Sequence, residues 1–172
     1  MIDSLQKRII DNGAVPPVVR HVSSSSPNNQ RMALQTLQNL AIDGNVDRPC
    51  LCKPRIYPLL SSYTDVGKSV IHANGGVERV IGVLRQGNVD LIPHALRVTI
   101  NLTGDCKYHC PHYSPEKICA LNTLFLSKNL AKVRRAFVDA GALRLVEDLQ
   151  NHRDPNVSAT AKQALNNLRL PC

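Results

Sequence analysis

Asn39, Asn101 and Asn167 recur at one place in three stretches of the 172-residue chain, each followed by Leu. A side-chain amide both donates and accepts a hydrogen bond, so an Asn repeated in this way suits pairing with peptide units. Those peptide units are either the chain's own backbone, capped or bridged within an array, or the backbone of a bound segment. Four residues before each Asn, about one helical turn, stand Gln35, Arg97 and Gln163.

Other residues with chemical potential are weaker candidates. Cys106, His109, Cys110, His112 and Cys119 cluster in sequence. Structural zinc needs four ligands in a tetrahedron. Cys-x2-His-Cys-x-His is not a recurrent zinc spacing, Cys119 lacks a close second partner, and Cys50-x-Cys52 is no better. Free thiols are expected, with no metal or other cofactor. Cys110 beside His109 is a poor nucleophile pair, because sequence neighbours rarely form the spatial contact that activates a thiolate. The chain has no Gly-rich phosphate loop after a strand, no Gly-x-Ser-x-Gly and no His-Glu-x-x-His. It is not expected to be an enzyme. Lys128, Lys132, Arg134 and Arg135 form a basic run with no acid until Asp139. Such a run can touch phosphates, but a solvated helix face is the commoner explanation. Asn101-Leu102-Thr103 and Asn156-Val157-Ser158 match the glycosylation pattern, but both fall in expected helices.

The elements that position these residues follow from an internal repeat. Segments beginning at Gly13, Gly75 and Gly141 align without gaps for about thirty residues. The shared landmarks are an aliphatic residue (Val15, Val77, Leu143), a Val (Val18, Val80, Val146), a capping type (Ser26, Asn88, Asp154) and an Ala (Ala33, Ala95, Ala161). They end on the Asn and on Leu40, Leu102 and Leu168. Each Gly suits a left-handed turn between two helices. The apolar stretch before it forms a first short helix, with Asp3 and Asp65 as candidate N-caps and Ala131 in the third copy. A second helix follows the Gly. A third begins at Ser26, Asn88 or Asp154, with Pro27 and Pro155 at the first helical position. Pro93 comes later in the second copy, so that helix starts at Asp90 instead or kinks. The Ala permits close helix–helix approach, and the Leu supplies a buried face.

Each unit is therefore three helices in about forty residues, a length within the armadillo and HEAT range. The Gly-Ala-Val, Gly-Gly-Val and Gly-Ala-Leu openings, with Ala33–Ala41, Ala95–Thr103 and Ala161–Leu168, resemble armadillo repeats. The resemblance covers about 3–42, 65–104 and 131–170. It implies an all-α, right-handed α-solenoid of three armadillo-like three-helix repeats with two irregular insertions. It also implies a concave groove of stacked third helices, in which Asn39, Asn101 and Asn167 bond an extended peptide. Gln35, Arg97 and Gln163 stand where importin-alpha-type receptors carry Trp, and the chain has no Trp. The Trp shelves that clamp Lys stems are thus missing. Residues 28–42, 91–104 and 155–170 contain no Asp or Glu, so the groove is neutral to basic, with Arg31, His94 and Arg97 on it. Acidic or neutral extended ligands suit it, in the beta-catenin style. A solvated helix face is the competing reading for Arg31 and Arg97.

The insertions, about 43–64 and 105–130, hold five of the six Cys and are rich in Pro. They read either as functional loops on one edge of the solenoid or as segments foreign to the repeat, such as an unusual splice form or a retained intron. The second can close with a helix capped by Ser114. The composition fits a globular chain: 43% apolar, 20% charged and 3% aromatic. So few aromatics disfavour base stacking. The formal charge of +8 favours acidic partners. The expected function is a scaffold or adaptor binding a protein segment, with polyanion binding as the alternative. Nucleic acid is not the expected partner. No apolar run approaches the length that spans a bilayer, and the N-terminus does not read as a signal peptide. A cytoplasmic or nuclear location is expected. Met1 opens directly onto an apolar first helix, which fits a fragment of a longer array or self-association.

Overall fold

The computed structural model describes residues 2–41, 66–104 and 127–169. Both insertions fall almost wholly outside these residues, as do Asp65, the helix expected after Ser114 and the Cys/His cluster.

The first unit comprises α1 (Ile2–Asp11), α2 (Val15–His21) and α3 (Pro27–Ala41). The second comprises α4 (66–73), α5 (Gly76–Gln86) and α6 (Ile92–Thr103). The third comprises α7 (Ser127–Asp139), α8 (Ala142–Leu149) and α9 (Pro155–Leu168). No strand occurs among the described residues. The described residues form an all-helical solenoid of three-helix units.

The turn between first and second helices is the same in all three units. Gly13, Gly75 and Gly141 have φ of 74°, 74° and 80°. Any Cβ is strained in this left-handed region, which explains why Gly recurs there.

The start of the third helix differs between units. In α3 the Ser26 hydroxyl accepts from the Asn29 N–H at 3.5 Å. In α9 the Asp154 carboxylate accepts from the Asn156 N–H at 2.8 Å. Asn88 instead accepts from the Asp90 N–H at 3.0 Å within a separate turn, and α6 begins only at Ile92. Neither Asn88 nor Asp90 is its first residue. Pro93 prefers the first turn, where its missing N–H costs nothing, and so delays the helix.

Two first-helix expectations are also corrected. Asp3 lies inside α1 rather than ahead of it. The third unit's first helix begins at Ser127, within the segment assigned to the insertion, and passes through Ala131 without a break.

The third helices form the spine: α6 packs on both α3 and α9, while α2, α5 and α8 pack on the third helix of their own unit. Ala33, Ala95 and Ala161 are buried where these helices meet, and Leu40, Leu102 and Leu168 are buried below them. Val15, Val77, Val80 and Val146 are fully buried from the second helices. Thr99 and Thr103, both buried, satisfy their hydroxyls by donating to carbonyls one turn back.

Candidate functional site: the row along the third helices

The repeated Asn residues fall at the C-terminal ends of α3, α6 and α9. There the last carbonyls of a helix have no partner within it. Asn101 Nδ2 donates to the Gln38 carbonyl at 3.1 Å. Asn167 Nδ2 donates to the Ile100 carbonyl at 3.2 Å. Both acceptors lie one residue before the Asn of the preceding unit, so the bond repeats with the array. Each is a bridge from one third helix to the last turn of the one before. Asn39, on the first such helix among the described residues, has no earlier bridge to make and is exposed. Asn101 is half-buried, and Asn167 is only 4% exposed. Of the three, only Asn39 is exposed to solvent.

The same helix ends collect further donors. Gln6 Nε2 donates to the Asn39 carbonyl at 2.6 Å, and Lys68 Nζ to the Gly104 carbonyl at 2.9 Å. Arg134 Nε donates to the Thr103 carbonyl at 2.9 Å. Gln6, Lys68 and Arg134 each stand seven residues before the repeat Gly. Sequence reading passed over this position, although its signal was present: a long polar donor at the same place before each repeat Gly. Lys68 and Arg134 are 4% and 5% exposed. The negative end of the α6 dipole favours both cations there. Arg134 is consequently not on a solvated face, contrary to the reading of the basic run, whereas Lys132 and Arg135 are exposed.

Gln35 is half-buried, and Arg97 and Gln163 are exposed. Arg31 is exposed, and its Nη2 donates to Asn28 Oδ1 at 2.8 Å. His94 is half-buried, and its Nδ1 is buried without a hydrogen-bond partner among the described residues. Burial chiefly, then the charges of Arg97 and Arg31, hold the His94 pKa below its ordinary value. Arg31 on α3 and Arg97 on α6 thus converge electrostatically on one imidazole.

A cleft of about 420 Å³ lies between the α2–α3 loop and α5, lined by residues including Ser23, Glu78 and Arg79. Arg79 Nη1 donates to Ser23 Oγ at 2.9 Å, joining the first two units. Among the described residues no three of His, Cys, Asp and Glu gather as a metal site.

Stacked three-helix units with a repeated Asn bridge define a helical-repeat protein. Residues 4–42 match the model of the Armadillo/beta-catenin-like repeat, which shows the armadillo resemblance at the first unit. No curated protein is matched. Among solved structures, an engineered protein is similar at 22% identity and a TM-score of 0.47. That alignment covers 96% of this chain and 40% of the engineered one, so the chain spans less than half of it. A designed armadillo repeat protein aligns at 16% identity and a TM-score of 0.26, covering 96% of this chain and 87% of its own. Another, solved in complex with the peptide (KR)4, aligns at 15% identity and a TM-score of 0.25, covering 96% and 86%. Among the described residues no helix is long and apolar enough to cross a membrane.

Proposed function

We propose that the chain is a non-enzymatic scaffold or adaptor that holds an extended, acidic or neutral segment of a partner protein along α3, α6 and α9. One observation carries this reading. Three third helices stack in order with Gln35, Arg97 and Gln163 at matching positions, and none of the three helices carries Asp or Glu. A segment lying across them meets one set of polar groups per unit. Asn101 Nδ2 is engaged within the array, so its Oδ1 is the part that accepts from a peptide N–H. Asn101 thus both stitches α6 to α3 and offers an acceptor to a ligand, whereas Asn167 is buried and serves as a bridge. The proposed setting is the cytoplasm or nucleus.

Selection of extended peptides from a display library tests the proposal. Peptides selected on the wild type should lose about tenfold in affinity to Gln35→Ala or Arg97→Glu, the size of one or two lost hydrogen bonds. Those two side chains make no bridge, so the melting temperature should hold. Asn101→Ala should lose affinity and stability together. A screen that yields no peptide sinks the scaffold reading. Binding that ignores these substitutions and collapses steeply with salt favours a polyanion instead.

A further inference from the structure

Arg79 on α5 is half-buried, and its Nη1 donates to Ser23 Oγ at 2.9 Å across the junction of the first two units. The acceptor is a neutral hydroxyl, and no carboxylate pairs with Arg79 among the described residues. The neighbouring Glu78 carboxylate turns the other way: its Oε2 stands 3.7 Å from where a Cβ on Gly75 would be, at the start of α5. A guanidinium bonds an anion about twice as strongly as a neutral acceptor, and its planar fork matches two oxygens of a phosphate. The room for such an anion is present. The cleft of about 420 Å³ opens at this bond, and Ser23, Arg79 and Gly82 are among its walls. A Cβ at Gly82 would meet nothing within 4 Å, so space remains about one turn beyond Arg79.

We infer that Ser23 is a phosphorylation site and that Arg79 receives its phosphate, locking the first unit to the second. Ser23 is exposed, in the loop that follows α2, and Arg20 lies three residues before it. A basic residue at that distance is read by protein kinases with an acidic substrate groove. The kinase and a nucleoside triphosphate supply the phosphoryl group. Ser23 Oγ bonds to the γ-phosphorus, the bond from that phosphorus to the bridging oxygen breaks, and the nucleoside diphosphate leaves. The hydroxyl proton passes to the carboxylate base of the kinase. Ser23 then carries a charge near −2 and three acceptor oxygens beside Arg79, and a neutral hydrogen bond becomes a charge-assisted one. Ser24 and Ser26 are set apart by their bonds, because each hydroxyl oxygen accepts a backbone N–H of its own segment. The junction of the second and third units has no counterpart. There Arg85 Nη2 donates to the Ala140 carbonyl at 2.7 Å, and a backbone carbonyl cannot be phosphorylated. The inference is independent of what the third helices bind.

The full chain is incubated with a kinase that reads Arg three residues before the acceptor and with magnesium ATP, and mass spectrometry maps the product. Phosphate should appear on Ser23. Thermal melts then compare the phosphorylated and unmodified forms of each variant. Phosphorylation should raise the wild-type midpoint by about 2–4 °C. Arg79→Gln should still be phosphorylated on Ser23 but show no rise, and Ser23→Ala should neither take the phosphate nor show the rise. The 31P signal of the phosphorylated wild type should titrate below about pH 6, the ordinary range of a phosphoserine, and return to it in Arg79→Gln. Phosphate found on Ser24, Ser25 or Ser26 with Ser23 unmodified overturns the assignment of the site. An unchanged or lowered midpoint, or a rise that persists in Arg79→Gln, overturns the role of Arg79 as receiver.

Discussion

The Asn bridge carries a testable energetic gradient. Asn167 Nδ2 bonds the Ile100 carbonyl at 3.2 Å from a position only 4% exposed, while Asn39 is exposed. Removing a buried amide strands a desolvated partner, whereas removing a solvated one exchanges it for water. Asn167→Ala should therefore cost about 1–2 kcal/mol in urea unfolding, and Asn39→Ala less than about 0.5 kcal/mol. Equal costs would mean that the bridge adds nothing to stacking. His94 predicts a pH effect at the same scale. Its folded pKa lies below the ordinary value of 6.5. In acid the unfolded chain binds the proton first, so this contribution to stability is fully present above about pH 6.5. It is lost progressively as pH falls from there through the folded value. Urea midpoints measured against pH should show this slope in the wild type and a flatter one in His94→Gln.

Between elements, α4 approaches the end of α3 closely at Gly67. A Cβ at Gly67 would stand 2.4 Å from the Leu40 carbonyl oxygen and 3.5 Å from Ile10 Cδ1. The nearest obstacle is backbone, so it cannot swing aside, and α4 must move off α3. Gly67→Ala should destabilise by about 1–3 kcal/mol, the usual cost of overpacking. Ala normally favours a helix over Gly, so a stabilised variant in thermal melts would show that α4 stands farther from α3. Lys68, the next residue, reaches the end of α6, so one turn of α4 touches the last turns of two third helices.

Taken whole, the molecule is a row of neighbours. Stability in a solenoid is close to a sum of unit and interface contributions, and the central unit has two interfaces. Leu102 is fully buried on α6, the helix that packs on both α3 and α9. Leu102→Ala should cost about 2–5 kcal/mol. Hydrogen exchange should show protection falling in α3 and α9 as well as in α6. Loss confined to α6 would mean that the units open independently.

Much of this was legible along the chain because its causes are local. Gly13, Gly75 and Gly141 mark left-handed turns that disfavour any side chain, and Ser26 and Asp154 bond N–H groups within the next turn. Ala33, Ala95 and Ala161 set the period at which helices approach. From such short-range features the three-helix unit and its threefold repetition could be read directly. Pro93 warned that α6 would start irregularly, but not that it would wait until Ile92. What tertiary structure alone decided was the partner of each long polar side chain. Arg134 belongs to a run that reads as solvated, yet the end of α6 lies over it and supplies a carbonyl. Asn101 and Asn167 have one composition for two roles, and the close packing of successive third helices turned their Nδ2 donors toward a neighbouring helix end. Sequence spacing determines which face of a helix a residue occupies, but the distance to the next helix determines whether its hydrogen bond goes to water, to a ligand or to the fold itself.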